Sequence, residues 1–157
     1  NETVVEISST ENQVKFVIAG VEIVSRLIEG QFPNYEQVIP KESTKKLEIS
    51  TSEFSAATKR VSILASEKSN SVRYKFSKGK VVISANTPDM GEAKEDFEIP
   101  YNDEEMQIAF NSKYVLDVLK NIGTENMFLE LTQPLNPGVF KPTNEADYLC
   151  VIMPMRV

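Results

Sequence analysis

Histidine and tryptophan are absent from this 157-residue chain, and cysteine occurs once, as Cys150. Without histidine the chain lacks the side chain that titrates nearest neutrality, the commonest general base and a leading metal ligand. One cysteine excludes a disulfide framework and any zinc site built on paired thiolates. Cys150 lies in the apolar ending YLCVIMPMRV (148–157), which reads as a buried, reduced thiol. Neither a Walker loop nor a Gly-rich dinucleotide fingerprint occurs. No apolar run approaches the roughly 20 residues that span a bilayer, and no signal-peptide pattern opens the chain. Catalysis would have to rest on carboxylates alone, so we expect no enzyme activity, no metal and no cofactor.

What is present is ordinary in amount and uneven in place. Hydrophobic residues make up 41% and charged residues 25%, the mix of a globular protein with one sizeable core. The net charge of −6 is concentrated: between Gly91 and Glu105 seven acids (Glu92, Glu95, Asp96, Glu98, Asp103, Glu104, Glu105) face one base, Lys94. The remainder of the chain is neutral, so an acidic total does not exclude a basic face elsewhere. The chain opens on Asn1 within a β-rich stretch, and we expect a fragment.

In order along the chain, TVVEIS (3–8) and VKFVI (14–18) read as strands around a turn. Residues 21–30 fit a helical stripe and a strand equally by periodicity. The stretch RLIEGQFPNYEQVIP (26–40) is too apolar and too rich in proline for a solvated linker, and reads as a packed connector. The run 41–46 reads as a crossing between domains. Leu47 and Ile49 then alternate, Ser50–Glu53 offers capping chemistry, and a helix follows with Phe54, Ala57, Thr58, Val61, Leu64 and Ala65 on one side. Strands at 72–76 and 81–85 flank the turn Ser77-Lys78-Gly79-Lys80. The acidic segment 91–100 reads as a charged edge strand.

The pattern recurs. Met106, Ile108 and Phe110 alternate, Asn111-Ser112 caps, and 114–122 is a helix stopped by Gly123, with Tyr114, Val115, Val118, Leu119 and Ile122 inward. Strands follow at 127–132, near 138–141 and at 148–153. This spacing matches Phe54 to Tyr114 and Arg60 to Lys120, with a one-residue slip at the cap. The expected fold is α+β: antiparallel sheets with two helices on one face and an internal strand–helix–strands repeat. Lys59, Lys113 and Lys120 point away from the apolar stripes and Arg60 sits on a flank, where all four are either solvated or turned to a phosphate backbone. Ile63, apolar and opposite the core side of its helix, marks a protein contact.

Three runs, LIEGQFPNYEQVIP (27–40), FNSKYVLDVL (110–119) and VIMPMRV (151–157), resemble the bacterial DNA polymerase III beta subunits, the sliding clamps, and the resemblance extends over the whole chain. It implies a DNA-clamp fold, with residues 1–40 as the last strands of the middle domain plus connector and 41–157 as the complete third domain. It also makes 21–30 a strand. In that family two protomers close into a homodimeric ring around double-stranded DNA. The ring tethers DNA polymerase III, the clamp loader and other replication proteins through short clamp-binding peptides in the bacterial cytoplasm, with no membrane role.

Carried over position by position, the resemblance implies a partner-peptide pocket of Pro33, Val38, Leu135, Pro137, Val151, Ile152, Met153, Pro154 and Met155. It implies a DNA-facing set of Lys59, Arg60, Lys113 and Lys120, and a ring interface at Ile63 and Leu64 with the acids 92–98 nearby. Gln37 stands where some members have arginine, and the loop 133–138 departs from the family pattern. The residues alone leave one alternative open, a small acidic α+β interaction domain with no nucleic-acid role. A carboxylate-dependent hydrolase is the third and weakest reading.

Overall fold

The computed structural model describes residues 4–32, 34–88, 90–144 and 147–156. By its contacts the chain divides into two units, Asn1–Asn34 and Tyr35–Val157.

The first unit is an antiparallel meander of β1 (Val5–Ser9), β2 (Gln13–Ile18) and β3 (Val21–Arg26). Ile18 pairs with Val21 across the two-residue turn Ala19-Gly20, and both turn residues have positive φ (45° and 82°). That is the backbone a type I′ hairpin requires, and glycine supplies half of it without steric cost. Lys15 reaches Glu22 across the hairpin at 2.7 Å. The ambiguous stretch from Val21 is thus a strand, as the resemblance implied. None of the described residues of this unit is buried. The segment read as a packed connector is likewise open: Ile28 is 96% exposed and Phe32 is exposed. Pro33, between them and the next unit, lies outside the described residues.

The second unit opens with a short 3-10 turn, Tyr35–Gln37, and then builds two four-stranded sheets and two helices. Strand β4 (Lys45–Ser50) leads into α1 (Thr51–Ser62), then β5 (Ser71–Ser77), β6 (Lys80–Thr87) and β7 (Gly91–Glu98). Strand β8 (Met106–Asn111) leads into α2 (Ser112–Ile122), then β9 (Asn126–Leu131), β10 (Gly138–Pro142) and β11 (Cys150–Ile152). The sheet orders are β7-β6-β5-β8 and β11-β10-β9-β4, with every pairing antiparallel. Each half therefore lends its first strand to the other half's sheet. Lys45 and Lys46, read as part of a crossing, belong to β4 and pair with Leu131 and Glu130.

Local chemistry explains both helices. The Ser50 hydroxyl accepts the Glu53 amide at 3.4 Å, and the Asn111 carbonyl oxygen accepts the Lys113 amide at 3.0 Å, so each helix starts on a side-chain cap. Gly123 ends α2 in the left-handed region, φ 71°. Buried positions on α1 are Phe54, Ala57, Thr58 and Val61, and on α2 Ser112, Val115, Val118, Leu119 and Ile122. Aligned on caps and burial, Phe54 matches Val115 and Lys59 matches Lys120, one residue beyond the spacing read from sequence. Leu47 and Ile49 of β4 then match Ile108 and Phe110 of β8 in the same register, so the slip expected at the cap does not exist. Tyr114, expected to face inward, is 62% exposed, in the place Glu53 holds on α1. The small Ser112 turns inward in the first turn instead, with its amide on the Asn70 carbonyl at 2.8 Å.

The helices pack against each other, and each touches both sheets. A chain of rings runs through the core between them. Phe54 stacks on Tyr74 (centroids 5.1 Å apart), Tyr74 meets Phe110 (5.9 Å), and Phe110 meets Phe140 (6.0 Å). These rings come from α1, β5, β8 and β10, so they join both halves. The Tyr74 hydroxyl is paired with Thr58 at 3.3 Å, and burial pushes its pKa well up. Among the described residues, no helix is long and apolar enough to cross a membrane.

Candidate functional site

The C-terminal tail joins the two sheets of the second unit. Strand β11 pairs with β10, Val151 opposite Val139 and Ile152 opposite Gly138. The chain then leaves that sheet through Met153 and Pro154, where proline cannot donate to a ladder. The Met155 amide donates to the Ala109 carbonyl of β8 in the other sheet at 2.8 Å. Between tail, β8 and the loop before β10 lies a groove of about 370 Å³ lined by Gln107, Ile108, Ala109, Pro134, Leu135, Met155 and Arg156.

This groove unites two of the residues assigned to a partner pocket, Leu135 and Met155. Leu135 is 64% exposed and Met155 half-buried, so an apolar wall is open to a ligand without unfolding. Gln107, Pro134 and Arg156 also line it and were not picked out from sequence. Their signal is tertiary, because β8 and the tail lie far apart in the chain and are brought together in the fold, where the Met155 amide reaches Ala109. The other assigned residues are placed differently. Ile152 is buried among the core side chains and anchors the tail there. Val151 and Pro154 are half-buried and Met153 is exposed. Pro137 is half-buried just ahead of Gly138, and a Cβ at Gly138 would lie 2.7 Å from the Phe110 ring. Val38 follows the 3-10 turn, with its amide on the Tyr35 carbonyl at 3.0 Å, and does not line this groove. Cys150 is half-buried against the core, and burial raises its thiol pKa, which keeps it unreactive.

The four basic residues assigned to the helices are all exposed. Lys59, Lys113 and Lys120 take part in none of the ion pairs among the described residues. Arg60 does: its Nε and Nη2 donate to Oε1 and Oε2 of Glu95, each at 2.6 Å. This fork holds Arg60 over edge strand β7. The hydrogen bond to Arg60 lowers the Glu95 pKa, and the same bond raises that of Arg60. Equivalent bases in the two helices are thus Lys59 and Lys120.

At the end of α1, Ile63 is 70% exposed and Leu64 half-buried. The Leu64 carbonyl accepts the Thr87 hydroxyl at 2.8 Å, which ties this corner to β6. Strand β7, with Glu92, Glu95, Asp96 and Glu98, ends its sheet and, among the described residues, pairs only with β6. An exposed Ile thus stands at the corner where β6 meets the acidic edge strand β7.

A family model for the DNA polymerase III beta subunit, C-terminal domain, matches residues 36–156. The chain belongs to this family. Among similar sliding clamps, that of Chlamydia pneumoniae is 36% identical over 135 residues, 86% of this chain and 36% of that protein. That of Escherichia coli (strain K12) is 34% identical over 146 residues, 93% of this chain and 40% of that protein. The DnaN sliding clamp of Bartonella birtlesii, solved with griselimycin bound, superposes with a TM-score of 0.83 at 32% identity over 98% of this chain and 41% of that chain. The DNA polymerase III beta subunit of Pseudomonas aeruginosa also gives 0.83 at 32% identity, over 98% of this chain and 42% of its own. The fold is that of the sliding clamps, and the chain spans about two fifths of the length of these relatives.

Proposed function

We propose that this chain serves as part of a bacterial sliding clamp, a non-catalytic processivity factor of the cytoplasm. In this reading Tyr35–Val157 is the third clamp domain and the meander of Asn1–Asn34 is the closing part of the middle one. The full ring surrounds duplex DNA, and basic helix faces hold it loosely through sequence-independent attraction to phosphates. DNA polymerase III and clamp-loader subunits dock through short peptides carrying a Gln and a hydrophobic pair. Ile63 and Leu64, with the acids of β7, form the seam between protomers.

The observation that carries this reading is the groove in which Leu135 and Met155 present apolar walls beside the tail. Methionine adapts its shape to different partners, which suits a slot serving several of them. The test is fluorescence anisotropy with a labelled clamp-binding peptide, and with griselimycin as competitor. We expect Met155→Ala and Leu135→Ala each to weaken peptide binding about tenfold, the loss of one buried apolar contact. Unchanged affinity in both variants would remove the groove from the proposal. For the ring, Lys59→Glu with Lys120→Glu in a full-length protein is expected to shorten retention on circular DNA. Arg60→Glu alone is expected to do so less, since Glu95 already engages that charge.

A further inference from the structure

We propose that a pocket on the outer face of the β5–β6 sheet binds a terminal phosphate group. The pocket holds about 110 Å³ and is walled by Ser66, Ser69, Ser71, Arg73, Ser84 and Asn86, with Ala85 at its base. On β5 the core takes Val72, Tyr74 and Phe76, so Ser71 and Arg73 alternate to the opposite side. Ser84 pairs with Arg73 in the ladder and shares that side. The pocket therefore opens away from both helices, on the same face of the sheet as the tail groove, whose Ala109 pairs with Arg73 in the ladder.

Three features point to a phosphate. First, the walls offer four hydroxyls, one amide and one guanidinium, and contain no carboxylate. A tetrahedral oxyanion accepts many hydrogen bonds at once, and the guanidinium fork matches its oxygens. Second, these donors are unspent. The Ser71 hydroxyl is buried with no partner, and Arg73 joins none of the ion pairs, both among the described residues. Buried polar atoms are rarely left so, and an unpartnered one beside a cavity is satisfied by water, an ion or a ligand entering it. Third, the loop that supplies Ser66 and Ser69 is pre-built. The Asn70 amide donates to the Ser66 carbonyl at 2.7 Å, the Ser71 amide to the Ser69 hydroxyl at 3.3 Å, and the Asn111 side chain to the Ser69 carbonyl at 3.4 Å.

Charge on the flank is balanced, because β7 sets Lys94 opposite Ser84 and Glu92 opposite Asn86. Arg73 is left as the net positive charge of the site. The volume admits one phosphate, so the ligand class is free phosphate or a phosphomonoester. A phosphodiester inside a duplex would have to bring its helix against the sheet.

The experiment titrates inorganic phosphate and, separately, O-phosphoserine into the isotope-labelled chain at constant ionic strength. The readouts are the amide resonances of residues 66–71 and 84–86. The expected result is saturable shifts confined to these residues, at least tenfold weaker in Arg73→Gln and partly retained in Arg73→Lys. Saturation by phosphate alone assigns free phosphate, and saturation by both ligands assigns the monoester class. Ser84→Val, which removes a hydroxyl and narrows the pocket while keeping the guanidinium of Arg73, gives the same loss and guards against a folding defect in Arg73→Gln. Shifts that never saturate, that spread to lysines outside the pocket, or that persist in both variants overturn the proposal. So does a short DNA duplex that displaces phosphate from the same resonances.

Discussion

Strand β7 closes one end of its sheet and β11 closes the matching end of the other, and the two halves place them in the same topological position. Their chemistry has separated. Strand β7 runs from Gly91 to Glu98 and carries four acids, and Glu95 is held by Arg60 of the neighbouring helix. Strand β11 has three residues, Cys150, Val151 and Ile152, and continues into the Met-rich tail. Length and charge keep β7 open but selective, since a long neutral edge would pair indiscriminately. Brevity and tail anchoring do the same for β11, because Ile152 is buried and Met155 is tied to β8. A duplicated architecture thus carries two chemically unlike edges at equivalent positions, and its core side chains differ too, Phe54 of α1 standing where α2 has Val115.

The core common to both edges should be the costliest place to interfere. Phe110→Ala removes the ring that meets both Tyr74 and Phe140, and we expect a loss of about 3–5 kcal/mol in urea unfolding. A loss below about 1 kcal/mol, against that range for a large buried ring, would mean the two halves are not joined there.

Gly138→Ala enters from the β11 side, where Gly138 pairs with Ile152. Its new methyl meets the Phe110 ring, and overpacking of this kind costs about 1–3 kcal/mol. We expect peptide binding at the tail groove to fall in parallel, while hydrogen exchange in β6 and β7 stays unchanged. Equal loosening of β7 would break the comparison.

The caps compare the halves directly. Asn111→Ala and Ser50→Ala should each cost about 1 kcal/mol in thermal unfolding. We expect the larger loss at Asn111, whose bond to the following helix is 3.0 Å against 3.4 Å at Ser50. The opposite order would show that tertiary packing, not capping, sets α2.

The smallest effect belongs to the exposed Arg60–Glu95 pair. Its hydrogen bond holds the Glu95 pKa below the ordinary carboxylate value of 4.5. The stabilisation is therefore fully present above that value and is lost as pH falls through the lower, folded-state value. The melting temperature of Glu95→Gln should lie slightly under that of the parent at pH 7, and the two should converge in acid. A gap that does not change with pH would show that the pair contributes nothing through charge.

Both helices, both caps, the Gly123 stop and the acidic edge are legible from residues alone, because each rests on periodicity or on contacts within a few positions. Family membership is legible as well, from three runs separated along the chain. Tyr114 was misplaced because an aromatic beside an apolar stripe reads as core, whereas the first turn of α2 admits only the small Ser112. The register of the repeat slipped for the same reason, since matching Phe54 to Tyr114 follows ring size and not burial. In the groove, Leu135 and Met155 were legible through the resemblance, but Gln107, Pro134 and Arg156 were not.

By itself the order of amino acids determined both helices and most of the strands, where the acids gather, and that histidine and paired-thiol chemistry are missing, while it left 21–30 open between helix and strand. Tertiary structure alone decided that β4 and β8 change places between the sheets, that Arg60 spends its charge on Glu95, and that the tail reaches Ala109. The physical reason is range. Caps and periodicity are energies of neighbouring residues, whereas these pairings join positions far apart in the chain and are chosen only by which surfaces the finished core leaves adjacent.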